Sequence, residues 1–165
     1  MAFYEWSESM SVGVELIDSD HKALIDLINR LHDMLTGDAG AAGKPGAAGG
    51  PSPEEVFDTL IAYTEIHFAR EEKVMQACGF PATASHQDEH ADFTTRVYDI
   101  RDKVLAGDAS PLTQELLDYL KDWLNAHILI QDMAYKPYAA GRPDVTGLAR
   151  SFGPGLSEQK ADQGQ

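Results

Sequence analysis

Six histidines stand in this chain of 165 residues, and four of them fall into pairings that a metal ion could use: His67-x-x-x-Glu71, His86-x-x-x-His90 and His127-x-x-x-x-Asp132. On a helix, residues four apart differ by about 40° around the axis and about 6 Å along it, so two such side chains can converge on one metal. Each pairing alone is weak evidence, because such spacings arise by chance. Their chemistry as a set is more informative. Counting His21, the five imidazoles and two carboxylates are too many ligands for one metal and suit two. A donor set of this intermediate hardness suits iron better than magnesium or calcium. With Cys78 the only cysteine, a structural zinc site is disfavoured.

The elements that must position these residues read as helices. Residues 19 to 36 carry Leu24, Leu27, Ile28, Leu31 and Leu35 at steps of three and four, the stripe of an amphipathic helix. Ser52, Pro53 and Glu55 form a capping box with proline at the first helical position, opening a second helix to about Ala77. Gly79 and Pro81 break it, and a third helix is expected from near Ser85 to about Ala106, with Phe93, Val97 and Val104 inward. Ser110-Pro111 repeats the cap-and-proline signal for a fourth helix, which carries Leu116, Leu117, Leu120, Leu124 and Ile128 and should stop before Pro137. The expected class is all-α, an up-down-up-down four-helix bundle over residues 1–138, since short connections force antiparallel neighbours. The Gly/Ala/Pro-rich stretch 37–52 reads as a flexible loop, and 139–165, lacking periodicity, as a disordered tail. In that topology His21, His67, Glu71, His86, His90, His127 and Asp132 all lie at the same end of the bundle. One spacing is awkward: five residues of ideal α-helix leave His127 and Asp132 about 140° apart, so their sharing a site calls for a π-bulge or a long lateral reach.

Composition excludes several classes. Thirteen basic against 27 acidic residues give a formal charge of −14, the wrong sign for nucleic acid or an anionic membrane surface. No apolar run is long enough for a membrane span. No secretory signal is evident at the N-terminus, and one cysteine suits a reducing compartment, so a cytoplasmic location is the expectation.

The order and spacing of Trp6, Val12-Gly13, Ile17-Asp18 and His21, then His67-Phe68-x-x-Glu71-Glu72, His86-x-x-x-His90 and His127-x-x-x-x-Asp132, resemble the hemerythrin family and its single-domain bacterial members. The resemblance spans residues 6 to about 138. It implies that His86, His90 and His127 bind one iron and His21 and His67 the other, with Glu71 and Asp132 bridging. It further implies reversible dioxygen binding at the open position of the His21/His67 iron, in a carrier, store or delivery protein rather than an enzyme. A monomer is expected, with an oxygen-using client protein as a possible partner. Competing readings are a di-iron redox enzyme, such as a peroxidase or a nitric-oxide or peroxide scavenger, and an oxygen or iron sensor acting through the loop or tail. The histidine-rich shell favours binding over oxygen activation: fewer anionic ligands stabilise high-valent iron less.

Leu24 and Leu124, each three residues from a histidine ligand, are candidates to wall the oxygen pocket, with Ile28 and Trp123 expected as core nearby. Tyr63 and Thr64 read as satisfied core polars, and Glu72, Asp88 and Glu89 as solvated. His32 lies about 16 Å along the helix from His21 and is not a ligand candidate.

Overall fold

The computed structural model describes residues 2–37 and 51–151. A single 3-10 turn, Glu8–Met10, precedes α1 (Glu15–Thr36), α2 (Pro53–Cys78), α3 (Thr83–Leu105) and α4 (Gln114–Ala126). The fourth helix runs on through a π-helical turn, His127–Asp132, into α5 (Met133–Ala139), and α6 (Pro143–Ser151) follows. Among the described residues there is no strand.

Local chemistry accounts for the helix ends. The Ser52 hydroxyl accepts the Glu55 N–H while the Glu55 carboxylate accepts the Ser52 N–H at 2.7 Å, and Pro53 fills the first helical position. Gly79, at φ 72°, closes α2 in the left-handed region that glycine tolerates. The fourth helix starts later than Ser110-Pro111 suggested. Asp108 Oδ1 takes the Ser110 N–H at 3.0 Å and holds that dipeptide in a turn, leaving Thr113 to cap α4 by accepting the Leu116 N–H at 3.4 Å.

The helices form an up-down-up-down bundle. Gln87 at the start of α3 donates to Glu72 near the end of α2, and Arg101 near the end of α3 donates to Asp58 at the start of α2, so these two run antiparallel. Helix α1 packs on α2 and α4, and Phe93 of α3 stacks on Trp123 of α4 at 3.9 Å, closing the ring. Leu27, Leu31, Phe57, Leu117 and Leu120 fill the long apolar core, each worth about 1.5–3 kcal/mol when fully buried.

A second apolar cluster closes the ligand end. It joins Val12, Val14 and Ile17 to Val74 and Met75, and to Tyr135, Ala139, Val145 and Ala149. Three sequence expectations change here. The first helix begins at Glu15 rather than residue 19, because Leu16 and Ile17 are buried in this floor. The fourth helical run does not stop before Pro137: that proline lies inside α5, where burial of Tyr135 and Ala139 outweighs the backbone hydrogen bond it cannot donate. The expected tail is ordered at its start, since Pro143 opens α6 and Val145 and Ala149, one turn apart, bury against α1 and α2. Residues 152–165, and 38–50 of the expected flexible loop, lie outside the described residues.

The N-terminal arm is tied to this floor. Asp18 accepts the Val12 N–H at 2.8 Å and the Ser11 hydroxyl at 2.7 Å, and Lys136 Nζ donates to the Ser11 carbonyl at 2.5 Å. Gly13 sits at φ 76°, and a Cβ there would lie 2.8 Å from Ala140 Cβ. Only glycine fits this approach.

Candidate metal centre

The structure brings all seven sequence-predicted ligands together between the two apolar clusters, each no more than 3% exposed. His21 comes from the second turn of α1, His67 and Glu71 from the second half of α2, His86 and His90 from the first turns of α3, and His127 and Asp132 from the two ends of the π turn. The wider turn solves the five-residue problem. It brings Asp132 Oδ1 to 3.2 Å from His127 Nε2, where an ideal α-helix would leave the two side chains far apart.

Two constellations share carboxylates. His90 Nε2 lies 3.1 Å from His86 Nε2 and 3.0 Å from His127 Nε2. Glu71 Oε2 stands 3.3 Å from His90, 3.6 Å from His86 and 3.7 Å from His67. Asp132 divides its oxygens, with Oδ1 3.3 Å from His86 and Oδ2 3.3 Å from His21. The potential ligand atoms of Glu71, His86, His90 and His127 lie within 4.8 Å of one another, and so do those of His21, His67 and Glu71.

These residues fit metal ions. Both nitrogens of His21 and of His67, Glu71 Oε2 and both Asp132 oxygens are buried without hydrogen-bond partners among the described residues, a costly arrangement unless a cation satisfies them. Imidazole nitrogens 3.0–3.1 Å apart would set lone pair against lone pair. Adjacent corners of an octahedron with bonds of about 2.1 Å lie about 3.0 Å apart, against about 3.4 Å for a tetrahedron, so the spacing suits octahedral ions. The electrostatics agree. Burial favours neutral His86, but the Asp132 and Glu71 carboxylates outweigh it and push its pKa up to about 10. Burial would likewise protonate Glu71, yet the charge of His67 and the close approach of the His86 and His90 imidazoles hold it well below the usual carboxylate range. Asp132 is lowered too, against burial and the charge of Glu71, by His127 and His21. Two buried, ionised carboxylates call for positive charge.

A surrounding set of side chains, largely missed in the sequence, contacts the candidate ligands. Tyr135 is fully buried and donates its hydroxyl hydrogen to Glu71 Oε1 at 2.6 Å. Glu72 is not simply solvated: its Oε1 takes the Nδ1 of His90 at 3.0 Å, which leaves Nε2 free to ligate, and its Oε2 accepts from Gln87. Asp20 and Arg70 form a fully buried ion pair, with Asp20 Oδ2 3.6 Å from His67 Nδ1. Phe68 stacks on His90 at 3.7 Å and Trp123 on His127 at 4.4 Å. Asp20 and Tyr135 carried no spacing signal, but a buried carboxylate needing a donor was a ground to look for the tyrosine.

One turn further into the bundle, Leu24 and Leu124 line a cavity of about 20 Å³ with Ile28, Leu60, Thr64, Phe68, Phe93, Leu120 and Trp123. The Thr64 hydroxyl is spent on the Leu60 carbonyl at 2.8 Å. His32 stacks on Phe3 at 4.3 Å and sits outside the cluster.

Residues 12–139 match the Hemerythrin HHE cation binding domain. The chain belongs to the hemerythrin family. It is 34% identical over 135 residues to a bacteriohemerythrin of Stenotrophomonas maltophilia, covering 82% of this chain and 80% of that one. Against the bacteriohemerythrin of Methylococcus capsulatus it is 32% identical over 139 residues, covering 83% and 97%. Wild-type hemerythrin in its crystal structure superposes with a TM-score of 0.71 at 30% identity, covering 85% of this chain and all of that one. As a hemerythrin-family chain it carries a cation-binding domain with a His/Glu cluster able to hold metal, and no described helix is long and apolar enough to cross a membrane.

Proposed function

We propose that this chain binds dioxygen reversibly at a non-haem di-iron centre, with His86, His90 and His127 on one iron, His21 and His67 on the other, and Glu71 and Asp132 shared. The observation that carries this reading is the asymmetry of the cluster: three imidazoles on one side, two on the other, and two carboxylates between them. A metal held by the side with fewer ligands would keep room for a small molecule, and a ferrous pair held by these residues would supply a reversible two-electron exchange with dioxygen.

What the chain adds is containment. Leu24 and Leu124 face an apolar cavity whose size suits a diatomic molecule, and no lining residue is titratable. With Thr64 already bonded to its own helix and no carboxylic acid, imidazole or phenol in the lining, no acid stands there to protonate bound oxygen. Exclusion of water and protons favours release of the gas intact. Tyr135 holds Glu71 in place without yielding its proton, since burial and the neighbouring charges of Glu71 and Asp132 keep its pKa well above the ordinary value.

Gas uptake tests the proposal. Protein loaded anaerobically with Fe(II) should take up about one dioxygen per chain and return it on evacuation, as a single shared site requires. Continued consumption with peroxide and a reductant would instead make the chain a redox enzyme.

A further inference from the structure

Seven ligands buried between two apolar clusters raise the question of how a hydrated cation reaches them. Toward the bundle interior stand Leu24, Phe68 and Leu124, and toward the floor Val74, Met75 and Ile17. None of these six side chains offers an oxygen donor to replace the ion's water.

A surface depression of about 160 Å³ lies elsewhere, between the start of α3 and the π turn, lined by Glu89, Trp123, Ala126, His127, Ile130 and Gln131. That is room for about five waters' worth of a partly hydrated ion. Its inner wall is itself a member of the ligand cluster. His127 is 3% exposed, and its Nδ1 is buried with no hydrogen-bond partner. The Glu89 carboxylate, 42% exposed, stands 3.6 Å from that nitrogen, too far to bond. The contrast with Glu72 is informative. Glu72 is committed to His90 and Gln87 by bonds of 3.0 and 2.8 Å, whereas Glu89 faces solvent on one side and His127 on the other, 3.6 Å from its Nδ1.

We propose that this depression is the port through which Fe(II) enters the centre, with Glu89 and Gln131 as transient oxygen ligands and His127 as the group that passes the ion inward. The inference rests on the di-iron reading of the site. Glu89 and the Gln131 amide offer the hard oxygen donors that a ferrous ion can exchange for water. The two nitrogens of His127 face the two compartments, Nδ1 toward Glu89 and Nε2 toward His90 and Asp132. The ring, at the start of the π turn and stacked on Trp123, belongs both to the lining of the depression and to the cluster within. The chain's charge of −14 draws cations toward such a mouth.

Anaerobic stopped-flow loading of the metal-free full-length protein with Fe(II) separates the alternatives. Glu89→Gln should slow uptake about fivefold or more, with the final content still two irons per chain and the loaded spectrum unchanged, because the lost charge acts on the encounter and not on the final site. Ile130→Arg, on a residue 65% exposed, should also slow uptake, and added salt should restore much of the rate. Wild-type rates in both variants would overturn the port. So would a Glu89→Gln protein that loads at the normal rate but holds less iron or shows an altered spectrum, since Glu89 would then only orient His127. If the wild-type protein itself takes up no pair of irons, the di-iron reading fails and the port fails with it.

Discussion

His127 Nε2 and Asp132 Oδ1 stand 3.2 Å apart at the two ends of a single π-helical turn. That turn places one carboxylate oxygen by His127 and His86 and the other by His21. It also sets the register of everything after it, including Tyr135.

Deletion of Leu129, 40% exposed in the middle of the turn, should restore α-helical spacing and rotate the following residues by about 100°. Tyr135 would then swing away from Glu71. The bundle is expected to remain helical by circular dichroism, while metal analysis finds no more than one iron per chain. Two irons with an unchanged spectrum would show that the turn is dispensable.

Tyr135→Phe removes the donor from Glu71 Oε1 and leaves that buried oxygen unsatisfied. The cost should be about 1–3 kcal/mol in a denaturant titration, with iron content unchanged. An unaltered midpoint would mean that Glu71 finds another partner.

Much of this centre was legible in the sequence because ligand spacing is a local property: His86-x-x-x-His90 needs only a regular helix, and the five-residue gap before Asp132 called for a π-bulge or a long lateral reach, of which the structure has the π turn. The orienting residues were harder to read. Asp20 looks like an ordinary acid near a helix start, and its partner Arg70 lies 50 residues away. Glu72 seemed to face away because it sits one residue past Glu71, yet it reaches a neighbouring helix. In α6 only Val145 and Ala149 are buried, too few positions to make a stripe. Pro137 is a true helix-breaker by local rules and was overridden by the burial of Tyr135 and Ala139.

Gly13→Ala places a side chain at φ 76° and against Ala140, for an expected loss of about 1–3 kcal/mol. Since the arm and α5 close the floor of the centre, oxidation of the ferrous protein in air should accelerate. A normal melting temperature would show that the arm can shift without cost.

Leu124→Ala should lower stability by about 2–5 kcal/mol, as for other buried leucines, while keeping two irons per chain. Leu124 is 5% exposed and lines the apolar cavity beside the cluster, so its truncation should admit water and hasten autoxidation of the oxygenated form. An unchanged autoxidation rate in folded, loaded protein would move the oxygen pocket elsewhere.

The most direct test of the whole account is an optical cycle on the wild-type protein. Loaded anaerobically with Fe(II), it should be nearly colourless, gain a visible absorption band when oxygen is admitted, and lose that band under vacuum. Repeated cycles should lose little amplitude and no iron, because a dry apolar cavity protects the bound gas. A band that forms once and persists under vacuum, or no band at all with two irons bound, would contradict reversible dioxygen binding.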